Sequence, residues 1–222
     1  MAGIGFDFDH TLGIDNKLER IAFLRLLERV LTDGGRALGT LAEESDRIDE
    51  ILVRQRAGSW SISVAVLRFV SERGVAPDGT YVDAYVEMCL EMVDDVVVPL
   101  PGAREMLAAL RARGTPVALL TNGWNPLQTA KARRVGFEGP ILASADIGFQ
   151  KPDARAFAAL ASALDLPRER VWYVGDDPAI DSAGALAAGL RSVWLDAEGR
   201  AYPTDLPAPT RRITELTELL EL

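Results

Sequence analysis

The chain has a single cysteine, Cys89, so it can close no internal disulfide; the neighbours Met88 and Leu90 suit a packed helix side better than a reactive thiol. It has no apolar run near the roughly 20 residues that a membrane helix needs. The N-terminus lacks the basic, apolar and small-residue order of a secretory signal, so the expected location is cytoplasmic. Basic charge is also scarce. The 24 Lys and Arg against 33 Asp and Glu leave a formal charge of −9, which argues against a polyanion-binding surface. Neither nucleic acid nor membrane is an expected partner, and a monomer or homodimer acting on a soluble small molecule is. There is no internal repeat and no low-complexity tract. With 222 residues, 48% of them apolar, the chain can fold as one domain carrying a smaller inserted one.

The segment from Gly3 to Asp7 reads as a short strand ending in acid, although Gly3 and Gly5 weaken it. From Asn16 to about Asp95 the apolar spacing turns helical. A capping box of Asn16 and Glu19 would open a first helix that stops at Gly34 and Gly35, and further helices are predicted over Thr40–Arg54, Ser61–Arg73 and Thr80–Val93. The acidic run Glu43, Glu44, Asp46, Asp49 and Glu50 reads as a solvated helix face. After Pro99 and Pro101, apolar runs at Val117–Thr121, Ile141–Ser144, Val171–Gly175 and Ser192–Leu195 alternate with helices over Ala103–Arg113, Ala154–Leu164 and Ala179–Ala188. Such alternation predicts a Rossmann-like, doubly wound parallel α/β sheet with right-handed crossovers. The first strand is separated from the others by the helices. The expected architecture is therefore an α/β core of residues 1–14 and 97–222 with a four-helix insertion over residues 15–96.

The chemistry concentrates at strand ends. Asp7 and Asp9 flank Phe8, and the period of two in extended chain sends both carboxylates to one side. Unit charges about 4 Å apart repel by about 4 kcal/mol at an effective dielectric near 20, so such a pair needs a cation, a shared proton or both. Asp176, Asp177 and Asp181 follow the strand-like Val171–Gly175, and in an open α/β sheet both acid groups belong on the same edge. Hard oxygen donors converging there suit Mg2+, whereas helix capping is the structural alternative for Asp177 and Asp181. Thr121, Asn122 and Gly123 place a hydroxyl and backbone N–H groups at another strand end, suited to a phosphate or to an ordinary turn. Lys151 follows the next strand and would neutralise carboxylate and phosphate oxygens.

In this order, Asp7-Phe8-Asp9-His10-Thr11, Thr121-Asn122, Lys151-Pro152 and Gly175-Asp176 with Asp181 resemble the four motifs of the haloacid dehalogenase superfamily. The helical insertion resembles the cap of its subclass with an α-helical lid. The resemblance implies that Asp7 is a nucleophile forming an aspartyl-phosphate, while Asp9 protonates the leaving group and then activates water. It further implies that Thr121 and Lys151 hold phosphoryl oxygens, and that Mg2+ is held by Asp7, the Asp9 backbone carbonyl and Asp176, with Asp181 acting through water or Lys151. The dehalogenase and phosphonatase branches characteristically lack an acid at the place of Asp9, so a phosphatase or phosphotransferase is expected. His10 occupies a variable place and reads as a turn residue.

The expected activity is hydrolysis of a small phosphorylated metabolite. A phosphomutase of the same superfamily is the nearest alternative, and a receiver-like or non-catalytic phosphate-binding protein a more distant one. For substrate recognition in the lid, the cluster Arg54-Gln55-Arg56-Ala57-Gly58-Ser59-Trp60 offers two cations and an indole to a polar ligand. Its structural alternative is a helix C-terminus with dipole-complementing cations and a packed Trp60.

Overall fold

The computed structural model describes residues 2–222. Strand β1 (Gly3–Phe6) is buried along its whole length. A short β2 (Gly13–Ile14) follows before the chain enters the helices α1 (Leu18–Thr32), α2 (Leu41–Arg56), α3 (Ile62–Glu72) and α4 (Gly79–Val96). It then continues through β3 (Val98–Pro99), α5 (Ala103–Ala112), β4 (Val117–Thr121), α6 (Leu127–Arg134), β5 (Ile141–Ala143), the single turn α7 (Ser144–Ile147) and α8 (Ala154–Ala163). Then come β6 (Val171–Gly175), a π-helical turn at Pro178–Ala183 running into α9 (Gly184–Ala187), β7 (Arg191–Leu195), β8 (Arg211–Ile213) and a closing 3-10 helix at Leu216–Glu221. Two compact units result: Asn16–Val96, and the remainder on either side of it.

In the larger unit the strands form one six-stranded sheet in the order β5-β4-β1-β6-β7-β8, and all five pairings are parallel. The chain builds outward from β1 in one direction through β4 and β5 and in the other through β6, β7 and β8. That reversal puts a crevice at the C-terminal ends of the central strands. The glycines that weaken β1 as a strand have a packing reason, since a Cβ on Gly5 would run into Leu160 of α8 and Tyr173 of β6. Leu160, Phe157, Tyr173, Ala118 and Leu120 form the apolar layer there. Several elements differ from the sequence expectation, which had neither α6 nor α7. β2 and β3 pair antiparallel to each other, and β8 adds an edge strand. The helix expected over Ala179–Ala188 opens instead as a π turn, because the N–H groups of Asp181 and Ser182 both donate to the Asp177 carbonyl.

The helical unit packs Phe23 against Phe69 and Tyr85, with ring centroids 5.1 and 4.5 Å apart, and Cys89 is buried on α4. The expected capping box at Asn16 and Glu19 does not form. Asn16 and Lys17 both take positive φ, α1 has no side-chain cap, and the Asn16 amide donates to the Val96 carbonyl at 2.7 Å, tying the two ends of the unit together. The capping box is at Thr40 and Glu43. Nor is the acidic face of α2 wholly solvated, because Glu44 is buried and paired with buried Arg73. Arg73 also donates to the Phe69 carbonyl at 2.8 Å, and Glu44 accepts the Leu38 N–H at 2.6 Å. Arg54 and Arg56 lie in the last turn of α2. The Arg54 and Arg68 guanidiniums stand 5.1 and 4.8 Å from the Trp60 ring centroid, and Arg56 lies 3.9 Å from Glu19.

Candidate active site

The ladder of β1 extends one residue beyond the strand, where the Asp7 N–H donates to the Val174 carbonyl at 2.9 Å. This seats Asp7 at the end of the central strand, and the chain then turns. The Phe8 carbonyl accepts the N–H groups of Thr11, Leu12 and Gly13, Phe8 is buried, and His10 takes φ 58° in an exposed turn.

The Asp7 carboxylate accepts a hydrogen bond from Lys151 Nζ at 2.7 Å, and the same ammonium donates to Asp181 at 2.7 Å. Lys151 is itself fixed by Asn122, whose side-chain amide donates to the Lys151 carbonyl at 3.0 Å and accepts its N–H at 2.9 Å. The Asn122 side chain therefore orients the lysine instead of offering itself to a phosphate. Thr121, the last residue of β4, is buried beside this pair. Asp181 returns to the strand end because residue 175 is glycine, where a Cβ would strike the Asp181 side chain. Asp177 is a cap, accepting the N–H groups of Ala179 and Ile180 at 2.8 Å each. Asp176 is held through its carbonyl, which accepts from Trp194 Nε1 at 2.9 Å and from Arg200 at 3.1 Å. A cavity of about 230 Å³ opens beside it, lined by His10, Leu100 and Arg200 among others.

Carboxylate oxygens of Asp7, Asp176 and Asp181 lie within 4.8 Å of one another. Burial pushes the Asp7 carboxyl up to about 7, against the pull of Lys151 and with the help of Asp181 and Asp9. Burial raises Asp181 too, again opposed by Lys151, and it raises Asp176, with Asp7 adding to the effect. For Lys151, burial pulls downward but Asp181 and Asp7 more than offset it, and the ammonium is held well above its ordinary value. Three carboxylates face the Lys151 ammonium and, 3.6 Å from Asp176, the Arg200 guanidinium, which leaves one negative charge uncompensated when all are ionised. A donor set made only of hard oxygens with that excess could hold Mg2+.

Asp9 does not join that group of carboxylates. It turns to a second lysine, Lys131 of α6, whose Nζ donates to Asp9 Oδ1 at 2.7 Å and to Asp15 Oδ2 at 3.1 Å. Burial works against the Lys131 charge, but Asp9 and Asp15 more than offset it and lift the group to about 12. Sequence reading missed this residue. The available signal was its place on α6, where Leu127, Gln128, Lys131 and Ala132 share the buried face and a lysine is out of pattern.

Comparison with known proteins places these residues in context. Residues 1–189 match the family of haloacid dehalogenase-like hydrolases. Over 140 residues the chain is 34% identical to the pyrimidine 5'-nucleotidase YjjG of Escherichia coli, a match covering 61% of each protein. Over 123 residues it is 39% identical to a phosphoserine phosphatase of Thermus thermophilus, covering 54% of this chain and 49% of that one. The chain thus spans about half to three-fifths of the length of these relatives. Among solved structures, a 2-haloacid dehalogenase from Pseudomonas syringae superposes with a TM-score of 0.77 at 25% identity, covering 100% of this chain and 97% of the other.

Proposed function

The chain belongs to the haloacid dehalogenase-like hydrolases, and from that premise we propose that it is a magnesium-dependent phosphatase that hydrolyses a small phosphorylated metabolite through an aspartyl-phosphate on Asp7. One observation carries the reading: the Asp7 carboxylate sits buried at the end of the central strand, bonded to Lys151 and within reach of Asp176 and Asp181. Asp9 favours phosphate chemistry over dehalogenation, because a dehalogenase has no leaving oxygen to protonate. The names of the two curated relatives, a nucleotidase and a phosphatase, support the same choice.

In the first half-reaction an Asp7 oxygen attacks phosphorus, the ester P–O bond breaks, and the departing oxygen takes the proton of Asp9. In the second, the Asp9 carboxylate takes a proton from water, whose oxygen attacks the same phosphorus. The bond from Asp7 to phosphorus breaks, inorganic phosphate leaves, and Asp9 is again protonated. The Thr121 hydroxyl and the Lys151 ammonium hold the phosphoryl oxygens, with Asn122 fixing the lysine. Mg2+, held by Asp7, the Asp9 backbone carbonyl and Asp176, would supply the positive charge that keeps Asp7 ionised and offsets the phosphoryl oxygens. We assign selectivity for the leaving group to Arg54, Arg56 and Trp60 of the helical unit. The enzyme is read as cytoplasmic, acting as a monomer or homodimer. Among the described residues no helix is long and apolar enough to cross a membrane.

The test is turnover of p-nitrophenyl phosphate. It is expected with Mg2+, and it should disappear in excess chelator and in Asp7→Asn. Full turnover in chelator, or phosphate trapped at residue 7 of the variant, contradicts the reading.

A further inference from the structure

We propose that Lys131 is a positioning residue that holds the Asp9 carboxylate in the orientation its proton transfers require; the inference rests on the role of Asp9 given above. A lysine on the buried face of α6 demands a reason. Its side chain is 1% exposed, and an ammonium so far from water is tolerated only where anions meet it. Lys131 meets two, Asp9 and Asp15, and its Nζ stands 4.7 Å from the Phe8 ring centroid. One ammonium therefore contacts the residue between the two motif acids, the second acid itself, and the last residue before the chain leaves for the helices.

The geometry separates grip from access. The lysine end of the pair is sealed, whereas the Asp9 side chain remains 39% exposed and its Oδ1 alone takes the Lys131 bond. A carboxylate on a turn can rotate away from a substrate. Bonding one oxygen to a rigid helix removes that freedom while the exposed part stays available to a proton partner. This is the arrangement of a catalytic acid or base oriented by a third group. Lys151 already serves the Asp7 side of the site, so Lys131 is not needed for phosphate.

The experiment is a double-mutant cycle with Mg2+ present, combining Lys131→Met and Asp9→Asn, read on p-nitrophenyl phosphate and on an alkyl phosphate, with thermal melting of each variant. Lys131→Met alone should lower kcat on the alkyl phosphate by roughly 10-fold to 100-fold, at or below the lower end of the roughly 10²–10⁴-fold that a general acid–base group itself contributes, with KM changed less than about twofold. In the Asp9→Asn background it should cost almost nothing more. Lys131→Arg should recover part of the loss. Equal losses in both backgrounds, or none in either, overturn the inference. Should Lys131→Met alone fail to fold, Lys131→Met/Asp15→Asn is compared with Asp15→Asn, so that only the part-exposed Asp9 carboxylate loses its cation. The same roughly 10-fold to 100-fold loss on the alkyl phosphate is expected, and equal kcat overturns the proposal. A wild-type protein inactive on both esters would instead overturn the phosphatase reading itself.

Discussion

Both units bury charge, and they do so differently. In the helical unit one arginine meets one glutamate: Arg73 and Glu44 are 0% and 1% exposed, and the neighbouring Phe69 carbonyl and Leu38 N–H take up further hydrogen-bonding capacity. The charges cancel. In the α/β unit three carboxylates share two cations, Lys151 bonded to Asp7 and Asp181 and Arg200 3.6 Å from Asp176, and burial raises all three carboxyls. A matched pair asks for nothing from outside and belongs to the fold. An unmatched set keeps a deficit that a cation and a phosphoryl group can fill, which is how a binding site differs from a packed ion pair.

The largest effect should come from breaking the matched pair. Arg73→Met leaves Glu44 buried without its cation and should destabilise the protein by about 3–5 kcal/mol, whereas Arg73→Met with Glu44→Leu should recover most of that loss. Urea unfolding of both variants reads the difference. A single variant no less stable than wild type would show that the pair is not the matched element described here.

The unmatched set should respond in the opposite direction. Asp7 has a folded-state value of about 7 against an ordinary value of 3.8, so the folded chain holds its proton more tightly than the unfolded one. Its contribution to stability is full below about 3.8 and is lost as pH rises through about 7. Metal-free protein should therefore lose stability between about pH 4 and about pH 7, to an extent of about 1–3 kcal/mol, and Mg2+ should restore it. Asp7→Asn should flatten this dependence and be the more stable protein at pH 8 in chelator. Identical slopes for the two proteins in denaturant titrations across that range would place the deficit elsewhere.

The legible parts were those whose signal is local. Asp7, Thr121 and Gly175 each end an apolar run, and the alternation of runs and helices predicted the parallel sheet that joins them. Lys151 and Asp181 were readable as partners of that edge because both follow strands. Asp177 and Asp181 could not be told apart, because the choice depends on a π turn that bends one into a cap and the other onto Lys151. Lys131 stayed hidden for the opposite reason. It lies 122 positions from Asp9 and 116 from Asp15, and only the packing of α6 against the first loop brings them together. β2 and β3, two residues each, pair across the whole helical unit, and so short a strand carries no period to read. The Asn16 box failed because positive φ at Asn16 and Lys17 serves the exit of the chain rather than the start of a helix.

The smallest expected effect asks whether the helical unit does more than fold. Trp60 has two guanidiniums near 5 Å of its ring centroid, those of Arg54 and Arg68, and Arg56 lies 3.9 Å from Glu19. As structure, exposed Arg54 and Arg68 flank a half-buried Trp60, and exposed Arg56 faces a buried Glu19. A cation beside an indole at the surface is worth about 0.5–1 kcal/mol, and Arg68 remains at the ring when Arg54 is removed, so Arg54→Ala should barely move the melting temperature. Binding would show differently. A guanidinium keeps N–H donors at its edge while its face rests on a ring, and those donors can meet a polar leaving group. Arg54→Ala or Arg56→Ala should then raise KM for the preferred metabolite by about threefold to tenfold, the equivalent of roughly 1 kcal/mol of binding. p-Nitrophenyl phosphate, whose leaving group offers such donors little, should be unaffected. If both substrates keep their wild-type kinetics in both variants, the cluster belongs with Arg73 and Glu44, as packing in the helical unit, and selectivity has to be sought in the α/β unit around His10 and Arg200.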